Sequence, residues 1–227
     1  IAKFSQQTIY KHVVSNLTNE MKKLIFMGIL SLFGFNNSIP KNPTFEQQLE
    51  IFKELGFELN NGTNKSDIER WEKQEFLDEP FTLMYITLGQ TIEREPWTPL
   101  TNKCWDFDTE AIEDHGSYIE IFENLERITR GELKFENVKD YVDIEEGKAW
   151  VSFTFSGKDY KWNLEVDDDW VDTDLFSKVV ELTEKIKSKG RYTYFDTGGQ
   201  NAVIGFETEK SLKEIKSKTG LKIEWFE

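Results

Sequence analysis

The sequence predicts an α+β fold, with antiparallel sheet(s) built from hairpins and about four to five packed helices. Three observations carry that expectation. Residues Lys148–Val166 hold two strictly alternating runs around Ser156-Gly157-Lys158-Asp159, the pattern of a β-hairpin. Segments with helical apolar spacing fall between such runs without regular strand–helix–strand alternation, so a parallel sheet is not expected. Finally, 18 Phe, 7 Trp and 7 Tyr supply enough ring area for a real core in a chain that is 31% charged.

Met21–Phe35, "MKKLIFMGILSLFGF", places two lysines before an apolar run. The run is too short to span a membrane, and no small-x-small cleavage site follows it. Residues 1–43 are therefore expected to be an extension and linker, with 21–35 amphipathic and lying on the domain, or a signal in the alternative. Residues 44–227 are expected to form a single α+β domain.

"TFEQQLEIFKELG" reads as a helix with Thr44 as N-cap, Gln47 completing a capping box and Gly56 ending it. Phe45, Leu49, Phe52 and Leu55 make its apolar face. "KSDIERWEKQEFLDEP" gives a second short helix, capped by Ser66 or Asp67 and stopped at Pro80. "FTLMYITLGQTIE" has few charges and reads as a central strand. "REPWTPLTNKCW" reads as a loop held by two prolines, with Arg94 in an anchoring ion pair beside Glu93 and Glu95.

A third helix is expected over 109–130, broken near His115-Gly116, with Tyr118, Phe122, Leu125 and Ile128 inward. "VKDYVDIEEG" leads as a strand into the hairpin, where Ala149, Val151, Phe153 and Phe155 share a face. Tyr160, Trp162, Leu164 and Val166 do so on the partner strand. A fourth helix covers about 174–189, burying Leu175, Val179, Leu182 and Ile186. Strands "RYTYFD" and "AVIGFE" flank a turn. A last helix, capped by Thr208 and closed by Gly220, precedes the ending strand "LKIEWF".

Net charge is −14, from 42 acids against 28 bases. Such a surface repels phosphate backbones and anionic membranes and attracts cations, so neither nucleic acid nor stable membrane insertion is expected. The single cysteine, Cys104, excludes an intrachain disulfide and a cysteine zinc site and reads as a small buried hydrophobe. It suits a reducing cytoplasm, the expected location, with export as the alternative if 21–35 acts as a signal. No Gly-rich phosphate loop, nucleophile elbow or paired-histidine metal motif occurs, and no cofactor is expected.

Three stretches invite chemistry. Gly198-Gly199-Gln200 matches the tripeptide of translation release-factor loops. Those loops need basic flanks, however, and this one offers only Asp196, Glu207 and Glu209, so it reads as a hairpin corner. "EVDDDWVDTDLF", Glu165–Phe176, lacks the Gly and spacing of a calcium loop. In it Asp172 reads as an N-cap, with Val171 and Phe176 placed for a hydrophobic staple. Glu165, Asp167, Asp168, Asp169 and Trp170 are left over, and an aromatic ringed by carboxylates suits a basic protein surface. In "WDFDTEAIEDHGSY", Asp106, Asp108, Glu110, Glu113 and His115 are the alternative catalytic or metal set, with Glu110 and Glu113 expected on one helical face.

"PTFEQQLEIFKELG", "EREPW", "WDFDTEAIEDHGSY", "DDDWVD" and "GGQNAVIG" resemble segments of an uncharacterised bacterial protein family, over about residues 27–227. That resemblance implies no activity. In type, as a small acidic α+β domain, the chain is also similar to immunity proteins of polymorphic toxin systems. This likeness implies a non-enzymatic inhibitor that occludes a cationic, co-encoded toxin such as a nuclease. The alternative is a hydrolase or metal-dependent enzyme built on the Asp106–His115 cluster, and a further one is an exported envelope-associated binding domain.

Overall fold

The computed structural model describes residues 39–226, so the amphipathic or signal segment expected at 21–35 lies outside the described residues. The described residues form an α+β fold of seven helices and nine strands in three antiparallel sheets.

Helix α1, Phe45–Glu54, has the expected capping box, with Thr44 and Gln47 exchanging hydrogen bonds of 2.9 and 3.2 Å. Gln48, on its inner face, is fully buried. Its amide donates to Pro43 O and Phe76 O and accepts from Phe81 N, fastening α1 to the segment after it. The expected second helix is two separate turns, α2 Lys65–Ile68 and α3 Glu75–Asp78, and α2 is capped by Asn64. Asp67 closes that capping box from inside, and Arg94 grips Asp67, not its glutamate neighbours.

The expected central strand is instead helix α4, Thr82–Gly89. Core surrounds this helix, burying Met84, Tyr85, Thr87, Leu88 and Gly89, so no polar face marks a helical period. Short strands β1, Thr91–Ile92, and β2, Thr98–Pro99, pair across the proline loop. Cys104 and Trp105, placed in that loop by the sequence reading, open strand β3, Cys104–Asp108. The helix expected from residue 109 starts only after Gly116, as α5, Ser117–Ile128. Asp140, from strand β4 (Phe135–Asp143), accepts hydrogen bonds from Gly116 N and Tyr118 N and holds the helix start.

β4 joins β5, Lys148–Phe155, and β6, Lys158–Leu164, in a three-stranded sheet. Phe155 pairs with Lys158, so the turn is Ser156-Gly157 alone, both with positive φ. Helix α6, Asp174–Ile186, buries Leu175, Val179 and Leu182 as expected, but Ile186 is exposed at its end. Strands β7, Arg191–Asp196, and β8, Asn201–Glu207, then helix α7, Glu209–Thr219, and strand β9, Glu224–Trp225, complete the chain.

The four-stranded sheet, in order β3-β8-β7-β9, lies between two cores. Trp105, Phe107, Tyr192, Ile204 and Phe206 face α5, α6 and the three-stranded sheet. Cys104, Phe195 and Val203 face α1, α4 and α7. Such alternation follows from the two-residue period of a strand. Among the described residues, no helix is long and apolar enough to cross a membrane.

Candidate functional site

The three stretches singled out in the sequence meet at one end of the four-stranded sheet. β3 ends there, β7 turns into β8, and the chain enters α6. Thr109 donates from its backbone (3.2 Å) and its hydroxyl (2.5 Å) to Gln200 O. Val171 N donates to Thr109 O and Ile112 N to Asp169 O, each at 2.9 Å. Asp108 Oδ1 accepts from Gln200 Nε2 (3.1 Å) and from Glu110 N (3.0 Å).

Gly198-Gly199-Gln200 is the corner of the β7–β8 hairpin. Gly198 has φ of +81°, and its N–H donates to Asp196 Oδ1 at 2.8 Å. The corner's working contacts are those of Gln200, which stitch it to the end of β3.

The acidic loop before α6 is braced from within. Trp170 N donates to Asp167 O at 3.0 Å, closing a turn in which Asp168 takes a φ of +52°. Asp172 accepts from Asp174 N at 2.9 Å and from Glu165 N at 3.0 Å, so its carboxylate ties the loop back to the start of α6. The N-cap itself is Thr173, one residue later than expected and without a side-chain cap bond. Val171 and Phe176 are buried in the same core, but with Thr173 as the N-cap they do not occupy the two positions of the expected staple. What remains outward is Glu165, Asp167, Asp168 and the ring of Trp170, which is 42% exposed; Asp169 is half-buried.

Beside Trp170 lies a cleft of about 340 Å³, walled by Trp170, Phe176, Tyr194 and Phe226, with Glu110 and Gln200 among its polar groups. Phe226 stacks on Phe176 with centroids 5.2 Å apart and meets Tyr194 edge-on at 5.7 Å. Burial, and then nearby Asp196, push the Tyr194 phenol above its ordinary value.

The alternative set, Asp106, Asp108, Glu110, Glu113 and His115, does not share one cavity. Asp106 and Asp108 line a second cleft of about 570 Å³, together with Arg70, Gln90 and Glu120. Glu110 lines the aromatic cleft, and Glu113 and His115 line neither. Glu110 and Glu113 lie on irregular chain ahead of α5, so the shared helical face expected for them is absent. His115 is exposed, 2.7 Å from Asp114, with its ring 4.8 Å from that of Tyr141. Among the described residues, no three His, Cys, Asp or Glu side chains are grouped to hold a metal ion.

Asp106 differs from the rest. Its Oδ2 accepts from Gln90 Nε2 at 3.0 Å, and Gln90 in turn accepts from Arg70. Its Oδ1 is buried and has no hydrogen-bond partner. Burial lifts this carboxyl above the ordinary aspartate range, Gln90 and Asn201 oppose that lift, and Asp108 adds to it.

Sequence reasoning missed Thr109, Tyr194, Gln200 and Phe226 as members of the site. Gln200 carried a signal, since a turn needs glycine but not glutamine; Phe226 carried none. The chain matches no protein-family model, no curated protein and no solved structure.

Proposed function

We propose that this chain is a non-enzymatic docking protein whose acidic loop, Glu165–Trp170, captures a cationic protein partner. A toxin domain such as a nuclease, occluded in the manner of an immunity protein, is the form of partner this reading favours. The carrying observation is Trp170, an exposed ring on a hydrogen-bonded loop between outward carboxylates. Loops braced in this way lose little entropy on binding, and an aromatic buried at the centre of an interface slows dissociation. The surrounding acids speed encounter with a basic surface, an advantage that salt removes.

The test is affinity capture from the cells that make the protein, followed by titration of the purified partner. Reversing charge at Asp167, Asp168 and Asp169 together should weaken binding at least about tenfold and flatten its salt dependence. Unchanged affinity would remove the assignment.

A second reading draws on Asp106. A carboxyl raised by burial beside a cleft suits a proton carrier in a hydrolase. Turnover of a substrate that is lost in Asp106→Asn would favour that reading, whereas the docking account has Asp106→Asn capture the partner unchanged.

A further inference from the structure

The cleft beside Trp170 has a chemistry of its own, and the inference drawn from it rests on the docking reading above. Its walls are aromatic: Trp170, Phe176, Tyr194 and Phe226, with Phe107 and Ile204 among the residues lining it. The charged group in its lining is Glu110; no lysine or arginine lines it. One of its neutral groups is held as an acceptor, and a second offers an acceptor oxygen. Thr109 spends its hydroxyl proton on Gln200 O, so that oxygen can only accept from a guest. Gln200 spends one amide N–H on Asp108, and its carbonyl Oε1 is left to accept from a guest. At about 340 Å³ the space lies near the lower bound of small-ligand sites, roughly 300 Å³, and admits one side chain.

We propose that this cleft is a socket for a single arginine side chain of the partner. Arginine brings donors and no acceptors, the complement of Glu110, Thr109 and Gln200. Its flat guanidinium stacks on aromatic faces and can meet a carboxylate through two parallel N–H groups on separate nitrogens, a planar fork that a lysine ammonium lacks. Charge complementarity extends past the rim, because Asp167 and Asp168 stand outward next to Trp170. The docking loop and the socket therefore share Trp170 and are otherwise separate: Asp167, Asp168 and Asp169 do not line the cleft.

The test uses the tripeptide Gly-Arg-Gly, acetylated and amidated so that arginine supplies its charge. It is titrated into the isotope-labelled protein while the indole N–H signals of the tryptophans and the side-chain amides of Gln200 and Asn201 are followed. The socket predicts saturable shifts at Trp170, Gln200 and Asn201, with the indole of Trp97, exposed but outside the cleft lining, unmoved. Glu110→Gln should weaken the response about tenfold, the scale of a charge-assisted hydrogen bond. The same peptide with citrulline, the neutral isostere, should not bind. Equal responses to citrulline or to a lysine peptide, shifts at Trp97 as large as those at Trp170, or an unaffected Glu110→Gln would each overturn the assignment. Socket and docking loop can fail separately. A partner that loses affinity on charge reversal at Asp167–Asp169, while Gly-Arg-Gly leaves the cleft untouched, keeps the docking reading and rejects the socket.

Discussion

The carboxylates wholly or partly buried in the two larger sheets and those on the loop before α6 are the same chemical group under opposite constraints. Glu207, in β8, is 3% exposed and meets Lys103 Nζ with both oxygens, at 2.5 and 2.6 Å. Asp140 is spent on backbone N–H groups at the start of α5. Asp106 is partly buried with one oxygen left unbonded. Asp167 and Asp168 face water. Desolvation makes the first three matter to folding, and hydration leaves the last two free to be exchanged for a partner's charge. An acid's role in this chain therefore follows from what surrounds it, not from how many acids cluster in sequence.

That contrast can be broken or sharpened in graded steps. Glu207→Gln should cost the most, about 3–5 kcal/mol, because it strands the Lys103 ammonium in the core. Urea unfolding measures this, and a loss under about 1 kcal/mol would mean the pair is not desolvated. Asp140→Ala should cost about 1–2 kcal/mol, the value of a helix cap, by the same measurement.

Asp106→Asn should do the reverse and stabilise the fold at neutral pH by about 1 kcal/mol, since it removes a charge whose Oδ1 is unbonded. The sign follows from the raised carboxyl. Its folded form holds the proton more tightly, so the stability it contributes is complete below the ordinary value of 3.8 and is lost as pH rises through the raised value. The gain from Asp106→Asn should therefore vanish below that ordinary value and grow toward neutrality. A gain independent of pH would contradict the burial argument. Replacing Asp167, Asp168 and Asp169 by Asn should change stability least, by no more than about 0.5 kcal/mol, while binding is weakened.

Legibility in the sequence divides along the same line. Local signals were clear: the Thr44 capping box, the Ser156-Gly157 hairpin, the Thr208 and Gly220 ends of α7, and the Gly198 corner all depend on residues within a few positions. Helix α4 was misread because core surrounds it, which erases the alternation that distinguishes helix from strand. Strand β3 was missed because Trp105 and Phe107 face one core and Cys104 the other, over only five residues. At the site, Trp170 stood out by its acidic neighbours. Its union with Gln200 and Thr109 spans long separations in the chain, and no local pattern encodes that.

Close packing also explains why Asp106 is held where it is. A Cβ on Gly89, at the end of α4, would fall 2.5 Å from Asp106 N, so only glycine lets the helix press this closely on β3. The environment of Asp106 is thus set by a backbone contact, which residue counting along 105–118 could not reveal.

The most direct test of the central claim places a photo-crosslinking amino acid at position 170 and, in a parallel protein, at Trp97, which is 61% exposed. The docking account predicts that the label at 170 joins one basic protein in living cells, that the adduct disappears when Asp167, Asp168 and Asp169 are changed to Asn, and that the label at 97 does not form it. An adduct that survives loss of those three acids, or that forms equally from position 97, would contradict it.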